Sequence, residues 1–451
     1  MEWSNRRRRL SSVQIIILFY AFSVISASLL LKIPLFHKPG VELSLLDAFF
    51  TAISAISVTG LTVVNTVETF NVGGYLVLIV IFQIGGIGVM ALGTFLWILL
   101  GRSIGLEQRR WIAIDHNRST LSGLVALMLT ILKLVLIIEA IGTLILGTYF
   151  HYYGIYSSWF SAYFYGFFAS VSAFTNAGFD IFGNSLIGFA DDYFVQTIHM
   201  LLIILGAIGF PVLIEVKENL LNYRTNKRIQ FSLFTKITTL TYFGLLGIGA
   251  GVFYFLERSS FLADKSGLDA FFYSLFNSVT SRSGGLATLD FNLLSEPTLF
   301  FISLLMFIGA SPSSVGGGIR TTTFVVIMLT IATYMRGRSE IKIFRRELHP
   351  EDINKAIIVF IFATNIVIVS IFFMMVAEKF SMVQIIFEIT SAFGTCGASM
   401  GITPNLSPFS KILLMILMFI GRVGIIPFLL LLKRDDKKTG YHYPKERIIV
   451  G

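Results

Sequence analysis

Long apolar runs separated by short polar stretches fill most of the chain between residues 13 and 432. As helices, these runs are long enough to cross the roughly 30 Å hydrocarbon core of a bilayer, in one case across a polar interruption. They lie at residues 13–35, 72–100, 121–150, 193–216, 231–257, 297–335, 354–377 and 409–432. The pattern predicts an all-α integral membrane protein with eight transmembrane helices.

A shorter apolar segment lies between the two members of each pair of runs. The four segments contain about 12–15 residues, too few for a helix to cross the bilayer. They lie at residues 45–57, 160–174, 268–281 and 382–393. We predict that they form re-entrant pore helices, which enter and leave the membrane on one side.

Related sequences around the ends of these segments indicate an internal repeat. They are FTAISAISVTGL (50–61), FASVSAFTNAGF (168–179), FNSVTSRSGGL (276–286) and FEITSAFGTCGA (387–398). A phenylalanine precedes a glycine by ten residues in three of them, and the third repeat is one residue shorter if Gly285 is matched. The sequence leaves open whether Gly284 or Gly285 is equivalent to the other glycines.

The second run of each pair also carries a common motif. The four versions are QIGGIG (83–88), ILGAIG (204–209), FIGASP (307–312) and FIGRVG (419–424). Glycines three residues apart allow two helices to approach closely, so we expect these motifs to pack helices together.

Lys and Arg concentrate in segments that follow every second long run. These segments lie at 6–9, 102–118, 217–236, 336–355 and 433–446. Because Lys and Arg are enriched in cytoplasmic loops, both termini are predicted to be cytoplasmic and the protein to be multi-pass in the plasma membrane. All four repeats then share one orientation, which predicts pseudo-fourfold symmetry about a central pore.

The predicted division of the chain follows from these repeats. It comprises a cytoplasmic N-terminus (1–12), repeats at 13–100, 101–216, 217–335 and 336–432, and a cytoplasmic C-terminal tail (433–451).

Composition supports a membrane protein and excludes an ordinary soluble domain. Hydrophobic residues make up 55% of the 451 residues and charged residues 14%, against about 25% charged in soluble domains. The net charge of +9 is carried by the basic loops, for which we expect contact with lipid headgroups. No soluble segment is long enough to form a nucleic-acid-binding domain. The single cysteine, Cys396, excludes an intramolecular disulfide.

The short stretch after each re-entrant helix is predicted to line a water-filled cation pathway. Non-helical backbone at membrane depth is tolerated only beside protein or water. Its carbonyl oxygens can replace the water around a cation, and the helix C-termini add partial negative charge. We expect the nearby hydroxyls to bind backbone rather than ions. The candidate filter residues, here called the turn segments, are Val58, Thr59 and Gly60; Asn176, Ala177 and Gly178; Ser283, Gly284 and Gly285; and Thr395, Cys396 and Gly397.

A polar stretch, GASPSSVGGGIRTTT (309–323), interrupts the run at 297–335. We predict an intramembrane loop below the filter that obstructs the pathway and opens it by moving. Its candidate gating residues are Gly309, Ala310, Ser311, Pro312, Ser313, Ser314, Gly316, Gly317 and Gly318. A plain cytoplasmic turn is an alternative. A phosphate-binding loop is disfavoured because the G-x-x-x-x-G-K-[ST] pattern is absent.

Arg422 is the further candidate gating residue, because an arginine inside a membrane helix is costly and usually faces protein or water. We predict that it lies near the pathway, forms a positive barrier and contacts the loop or the filter carbonyls. The alternative is a structural partner for a buried carboxylate or a helix end. Arg320 receives no firm role.

The motifs SVTGL, TNAGF, SRSGG, FGTCG and SPSSVGGGIRTTT together resemble the Trk/Ktr/HKT superfamily of potassium transporters, most closely the membrane subunit of bacterial Ktr systems. The resemblance covers nearly the whole chain. It implies potassium transport, often sodium-dependent, with potassium and sodium as the ions bound. It also implies a homodimer with one pore per subunit, a separate cytosolic nucleotide-binding ring that controls gating, and a bacterial inner membrane location.

The resemblance also assigns the filter glycines. They map onto Gly60, Gly178, Gly285 and Gly397, and a glycine rather than a serine at residue 60 favours potassium over sodium. The third turn segment departs from the usual Thr-Ala-Gly-Phe, since it reads Ser283-Gly284-Gly285-Leu286. That departure loosens the packing behind one quarter of the filter.

Two other classes of function fit the sequence less well. An ion-coupled secondary symporter, driven by sodium or protons, would be expected to have inverted repeats and acidic residues near the membrane midplane; neither is evident in the sequence. An enzyme needs an acid–base or metal cluster, but the six histidines are scattered, mainly in loops. The sequence therefore predicts a protein that is not an enzyme.

Overall fold

A computed structural model describes residues 12–88, 123–224, 230–432 and 446. The basic segments 6–9 and 102–118, residues 89–100 of the second apolar run and nearly all of the tail lie outside the described residues. The helices are α1 (Ser12–Leu31), α2 (Leu45–Ile56), α3 (Thr66–Thr69), α4 (Val72–Ile87), α5 (Leu124–Tyr152), α6 (Trp159–Phe174), α7 (Tyr193–Ala207), α8 (Phe210–Arg224), α9 (Leu233–Glu257), α10 (Gly267–Thr280), α11 (Glu296–Ile308), α12 (Thr321–Met335), α13 (Pro350–Ala377), α14 (Met382–Gly394), α15 (Pro408–Val423) and α16 (Ile425–Leu432). A two-stranded antiparallel hairpin, β1 (Lys342–Ile343) and β2 (Arg346–Glu347), precedes α13.

The first helix of each predicted repeat is long and apolar enough to cross a membrane. These helices are α1, α5, α9 and α13. In the apolar 18-residue stretch of each helix, at most 33% of the residues are buried inside the protein. The remaining surface is apolar and suits contact with lipid tails.

The four predicted short helices are present as α2, α6, α10 and α14, with 12 to 16 residues each. Local sequence explains where three of them begin. The hydroxyls of Ser44, Ser266 and Ser381 each accept a hydrogen bond from the N–H three residues later. Such N-caps satisfy donors that the first turn of a helix leaves free.

The second runs at 193–216 and 409–432 are each broken, which corrects the expectation of continuous helices there. α7 and α8 meet at an angle of 101°. Gly209 and Gly424, with φ of 103° and 92°, separate the paired helices. α4 likewise ends before Gly88, whose φ is 98°. A left-handed residue cannot continue a right-handed helix, and glycine adopts this conformation at little steric cost.

An earlier glycine in three of these motifs packs closely against a short helix, as the spacing predicted. A Cβ on Gly85, Gly206 or Gly421 would overlap the carbonyl oxygen of Ile56, Phe174 or Phe393, respectively. Each of these carbonyls belongs to the last turn of a short helix. In each of these three motifs one glycine therefore permits close packing and a later one ends the helix, whereas FIGASP has a single glycine, Gly309, which follows the end of α11.

Contacts between successive predicted repeats close into a ring around the short helices. α4 packs against α6, α7 against α10, and α11 against α14, while α15 packs against α2 at the beginning of the chain. Each second helix thus supports the short helix of the following repeat. The arrangement brings the C-terminal ends of the short helices towards the middle of the protein.

Candidate functional site

The four turn segments meet at one place in the structure. A Cβ added to Gly60 would lie 2.7 Å from the carbonyl oxygen of Ala177 and 2.8 Å from the Cα of Gly178. One added to Gly285 would lie 2.8 Å from Gly178 Cα, and one added to Gly397 would lie 3.0 Å from Gly60 Cα. Because real Cβ atoms do not approach so closely, only glycine allows these four backbones to converge.

The geometry also distinguishes the two glycines of the third turn segment. Gly285 has a φ of 71° and faces the other glycines. A Cβ on Gly284 would instead meet Thr280 of its own helix at 2.9 Å and Ile203 of α7 at 3.2 Å. Gly285 is therefore the residue that joins Gly60, Gly178 and Gly397.

The turn segments share one unusual backbone conformation. In each, the first and third residues have positive φ while the middle residue does not. The first residues are Val58 (56°), Asn176 (55°), Ser283 (95°) and Thr395 (47°). Positive φ costs a residue with a side chain roughly 1–2 kcal/mol, so the surrounding packing must hold these residues in place. Strained backbone of this kind clusters at functional sites.

Carbonyl oxygens of three of the four middle residues lie at the meeting place. Thr59 O lies beside Gly178, Gly285 and Gly397, Ala177 O lies beside Gly60, and Cys396 O lies beside Gly285. Partial negative charge at the C-terminal ends of the adjacent short helices adds to that of the carbonyls. An arrangement of this kind can replace the hydration shell of a cation.

Hydroxyl groups near the ends of the short helices hold the turn segments, as the sequence predicted. In predicted repeats one and four, the hydroxyl accepts a hydrogen bond from the glycine N–H. In predicted repeats two and three, it donates a hydrogen bond to the carbonyl of the residue after the glycine. The bonds join Ser54 to Gly60 (3.1 Å), Ser391 to Gly397 (3.0 Å), Ser172 to Phe179 (2.5 Å) and Thr280 to Leu286 (2.6 Å).

Two turn-segment side chains are buried without a partner in the described part of the chain. They are the amide of Asn176, at both its oxygen and its nitrogen, and the hydroxyl of Thr395. Buried polar atoms in proteins are nearly always hydrogen-bonded, or else contact a water or an ion. These two side chains are therefore candidates for contact with solvent or an ion in the pathway.

A cavity of about 290 Å³ opens onto the turn segments from one side. Its lining includes all four convergent glycines and the carboxylate of Asp180, a residue that the sequence did not single out. Asp180 lies in the loop after α6, where its Oδ1 accepts hydrogen bonds from the N–H groups of Phe182 and Gly183. Burial raises the pKa of Asp180 above its ordinary value, and these hydrogen bonds oppose that rise.

The predicted intramembrane loop spans residues 309–320, because 321–323 form the first turn of α12. It packs directly against the third and fourth turn segments. A Cβ on Gly316 would overlap Ser283 Oγ, and one on Gly317 would lie 2.6 Å from Thr395 Oγ1. The loop is buried except at Ser313 and Arg320, which are partly buried. This burial argues against a plain exposed turn.

Backbone hydrogen bonds join the loop to the break between α7 and α8. Ser311 N donates to Ala207 O (3.1 Å), Val315 N donates to Gly206 O (3.2 Å), and Phe210 N donates to Ser313 O (2.9 Å). Ala310 N donates across the loop to Gly317 O (3.2 Å). The loop therefore has a defined position between the turn segments and the broken helix.

Arg422 contacts both the loop and a helix end, while its place near the pathway and its positive barrier stay predictions. Its guanidinium donates to Val315 O in the loop and to Gly85 O and Gly86 O in the last turn of α4. The residue is 8% exposed. Its hydrogen bonds in the described structure go to these carbonyls and not to the turn segments.

Two further arginines, to which the sequence assigned no role, contact the loop. Arg282, next to the third turn segment, is fully buried, lies over the ring of Tyr242 and donates to Gly309 O. Arg320 donates to Ser311 O and Gly316 O within the loop. The rule that singled out Arg422, an arginine at membrane depth, applies equally to both.

Comparison with known proteins identifies the family. The sequence profile of the TrkH family, described as a cation transport protein, matches residues 3–439. The chain belongs to the TrkH family. Its members are membrane transporters, not enzymes, as the sequence predicted.

Relatives of this TrkH-family chain extend over its whole length. It is 52% identical over 451 residues to the Ktr system potassium uptake protein D of Bacillus subtilis, with 100% of both chains covered. It is 36% identical to the Ktr system potassium uptake protein B of the same organism, with 98% of this chain and 97% of the relative covered. The crystal structure of the potassium transporter TrkH from Vibrio parahaemolyticus has the same fold, with a TM-score of 0.73, 18% identity and coverage of 95% and 86%.

Proposed function

We propose that this protein mediates potassium uptake across the plasma membrane through a channel-like pore. The four turn segments form its selectivity filter, with carbonyl oxygens as ligands for the ion. The observation that carries this proposal is the convergence of Gly60, Gly178, Gly285 and Gly397 with carbonyl oxygens between them. The relatives described as potassium uptake proteins support potassium as the ion.

The architecture proposed with this function is four parallel repeats, at 13–100, 101–216, 217–335 and 336–432, around one pore. Eight transmembrane helices and four pore helices, with both termini in the cytoplasm, complete it. The ring of contacts that ends with α15 against α2 supports this symmetry. A central pore also accounts for the inward direction of the short helices.

The loop at 309–320 is the proposed gate. It is buried against the third and fourth turn segments, where it would obstruct an ion that leaves the filter. Loop movement would open the path, and Arg422, which holds Val315, would set both the loop position and a positive electrostatic barrier. The gating residues are those at 309–314 and 316–318, together with Arg422.

Sodium dependence, a homodimer and control by a separate cytosolic nucleotide-binding ring complete the proposal. They rest on the resemblance to Ktr membrane subunits. The basic loops at 102–118, 217–236 and 336–355 are candidate docking surfaces for the regulatory subunit. In the last of them, exposed arginines precede and lie within the β1–β2 hairpin. The other basic loops are proposed to contact lipid headgroups.

Potassium uptake by cells that lack their own potassium uptake systems tests this function. We expect growth and uptake at low external potassium from the wild-type chain, with higher rates when sodium is present. The Gly60→Ser variant should lose potassium preference, whereas Gly40→Ser should not, because a Cβ at Gly40 meets no atom within 4 Å. Absence of potassium uptake from correctly inserted protein would contradict the proposal. A fixed ratio of sodium or protons moved with each potassium would favour a symporter instead.

A further inference from the structure

Two cationic side chains line one small cavity beneath the loop. The cavity has a volume of about 60 Å³ and lies between the loop, the end of α4 and α15. Its lining includes Tyr20, Phe210, Ser313, Ser314, Arg320 and Arg422. The two guanidinium groups, the serines and the tyrosine are the polar side chains of this lining.

The two arginines approach the loop at adjacent residues. Arg422, from α15, donates to Val315 O, and Arg320, at the start of α12, donates to Gly316 O. Two like charges are therefore held on neighbouring peptide groups. Such a pair raises the local positive potential, because the protein interior screens charge less than water does.

Neither arginine has an acidic partner in the part of the chain that the structure describes. The ion pairs there are Lys342–Glu340, Lys355–Asp352 and Lys411–Asp47. The partners of Arg320 and Arg422 are neutral backbone carbonyls. Arg422 Nε is buried with no partner in the described chain. Buried charges in proteins are normally paired, since leaving them uncompensated is costly.

We propose that this cavity binds one small monovalent anion of halide size between Arg320 and Arg422. The anion supplies the negative charge that the described residues around the cavity lack, and it joins the loop to α15. The volume is large enough for a halide, either together with a few water molecules or in their place. It is too small for a nucleotide. Chloride is the abundant anion of this class.

Direct observation of bromide tests the site without any substitution. Crystals of the full-length protein grown in potassium bromide should give an anomalous peak at the bromine absorption edge within hydrogen-bond distance of both guanidinium groups. Water alone in the cavity, or bromide bound only elsewhere, would overturn the proposal. This experiment requires no transport, so its failure leaves the proposed potassium pore untouched.

Thermal unfolding of the full-length protein provides the second test. At equal potassium concentration, bromide or chloride in place of gluconate should raise the unfolding temperature by on the order of 2 °C, as expected for a ligand that binds the folded state. The shift should disappear in Arg320→Gln and persist in Arg338→Gln, which removes an exposed arginine in the same part of the sequence. Equal shifts in both variants would contradict the site.

The same unfolding measurement in phosphate identifies the class of anion. Potassium phosphate should give a smaller Arg320-dependent shift than potassium bromide, because the cavity is small. A larger shift with phosphate would show that the ligand is an oxyanion and would overturn the halide assignment.

Discussion

The guanidinium of Arg282 donates a hydrogen bond of 2.7 Å to the carbonyl oxygen of Gly309. This contact joins the residue before the third turn segment to the first residue of the loop. It places a fully buried positive charge between the proposed filter and the proposed gate. We therefore predict that a change in one affects the other, and that Arg282 positions the loop.

Replacement of Arg282 by Met should raise resting potassium flux. Hydrogen bonds to charged groups contribute about 1.5–3 kcal/mol, so loss of this tether should favour loop opening about tenfold or more. Flux of rubidium or potassium into proteoliposomes measures the change. The matched control is Arg258→Met, which removes an exposed arginine that lies over Phe255. Equal resting flux in both variants would count against the tether.

The Gly60→Ser variant should reduce the preference for potassium over sodium. A side chain at residue 60 would press on Ala177 O and Gly178 Cα, and Gly60 already has a φ of 95° that L residues rarely adopt. The four segments could then no longer converge symmetrically. Ion competition in uptake assays measures the preference. The control is Gly40→Ser, which carries a similar backbone strain, at a φ of 82°, with open space around it. If the Gly60→Ser variant is as selective as this control, the filter assignment is refuted.

Sequence reasoning found the short helices because their length alone excludes a membrane span. It found the turn segments because a glycine recurs at matched spacing in three repeats. It left Gly284 and Gly285 undecided, since only the neighbours in space distinguish them. The breaks at Gly209 and Gly424 were missed because a glycine that permits packing and one that ends a helix look alike in sequence. The contact of Arg282 with Gly309 depends on tertiary packing that no local pattern encodes.

The Gly316→Ala variant should displace the loop and increase resting flux. Its added methyl group would overlap Ser283 Oγ and lie 2.6 Å from the Cβ of Ala310. Overpacking of this kind costs about 1–3 kcal/mol, which the loop can relieve by moving away from the turn segments. The control is Gly244→Ala in α9, where a Cβ would meet no atom within 4 Å. Flux as low as in that control would argue against a gate at this position.

The Asp180→Asn variant should weaken apparent potassium affinity at the cavity that opens onto the turn segments. A unit charge at 4 Å in water contributes about 1 kcal/mol, so the apparent KM should rise by about fivefold or less. The effect should shrink at high ionic strength, where charges are screened. Because the pKa of Asp180 is raised, external acid should reproduce the effect in the wild type and not in the variant. Asp191→Asn, at an exposed residue of the same loop, is the control and should leave KM unchanged.

Replacement of Arg422 by Ala should increase potassium flux or change its apparent affinity. The substitution removes a positive charge beside the loop and the hydrogen bond that holds Val315. It also leaves the carbonyls of Gly85 and Gly86 without their donor. Transport kinetics in proteoliposomes measure the result, with Arg336→Ala as the control at an exposed residue. Kinetics that match the wild type would refute a role for Arg422 in the pathway.

Arg422→Lys separates the two effects of this residue. Lysine keeps the charge, but its single ammonium group cannot reach the loop and the end of α4 with the fork geometry of a guanidinium. If the charge forms the barrier, flux in Arg422→Lys should stay near the wild-type value while Arg422→Ala rises. If the tether to Val315 holds the gate, both variants should rise together. Because the Arg422 side chain reaches α4 as well as the loop, we expect Arg422→Lys to show an intermediate increase, with the larger part of the effect in Arg422→Ala.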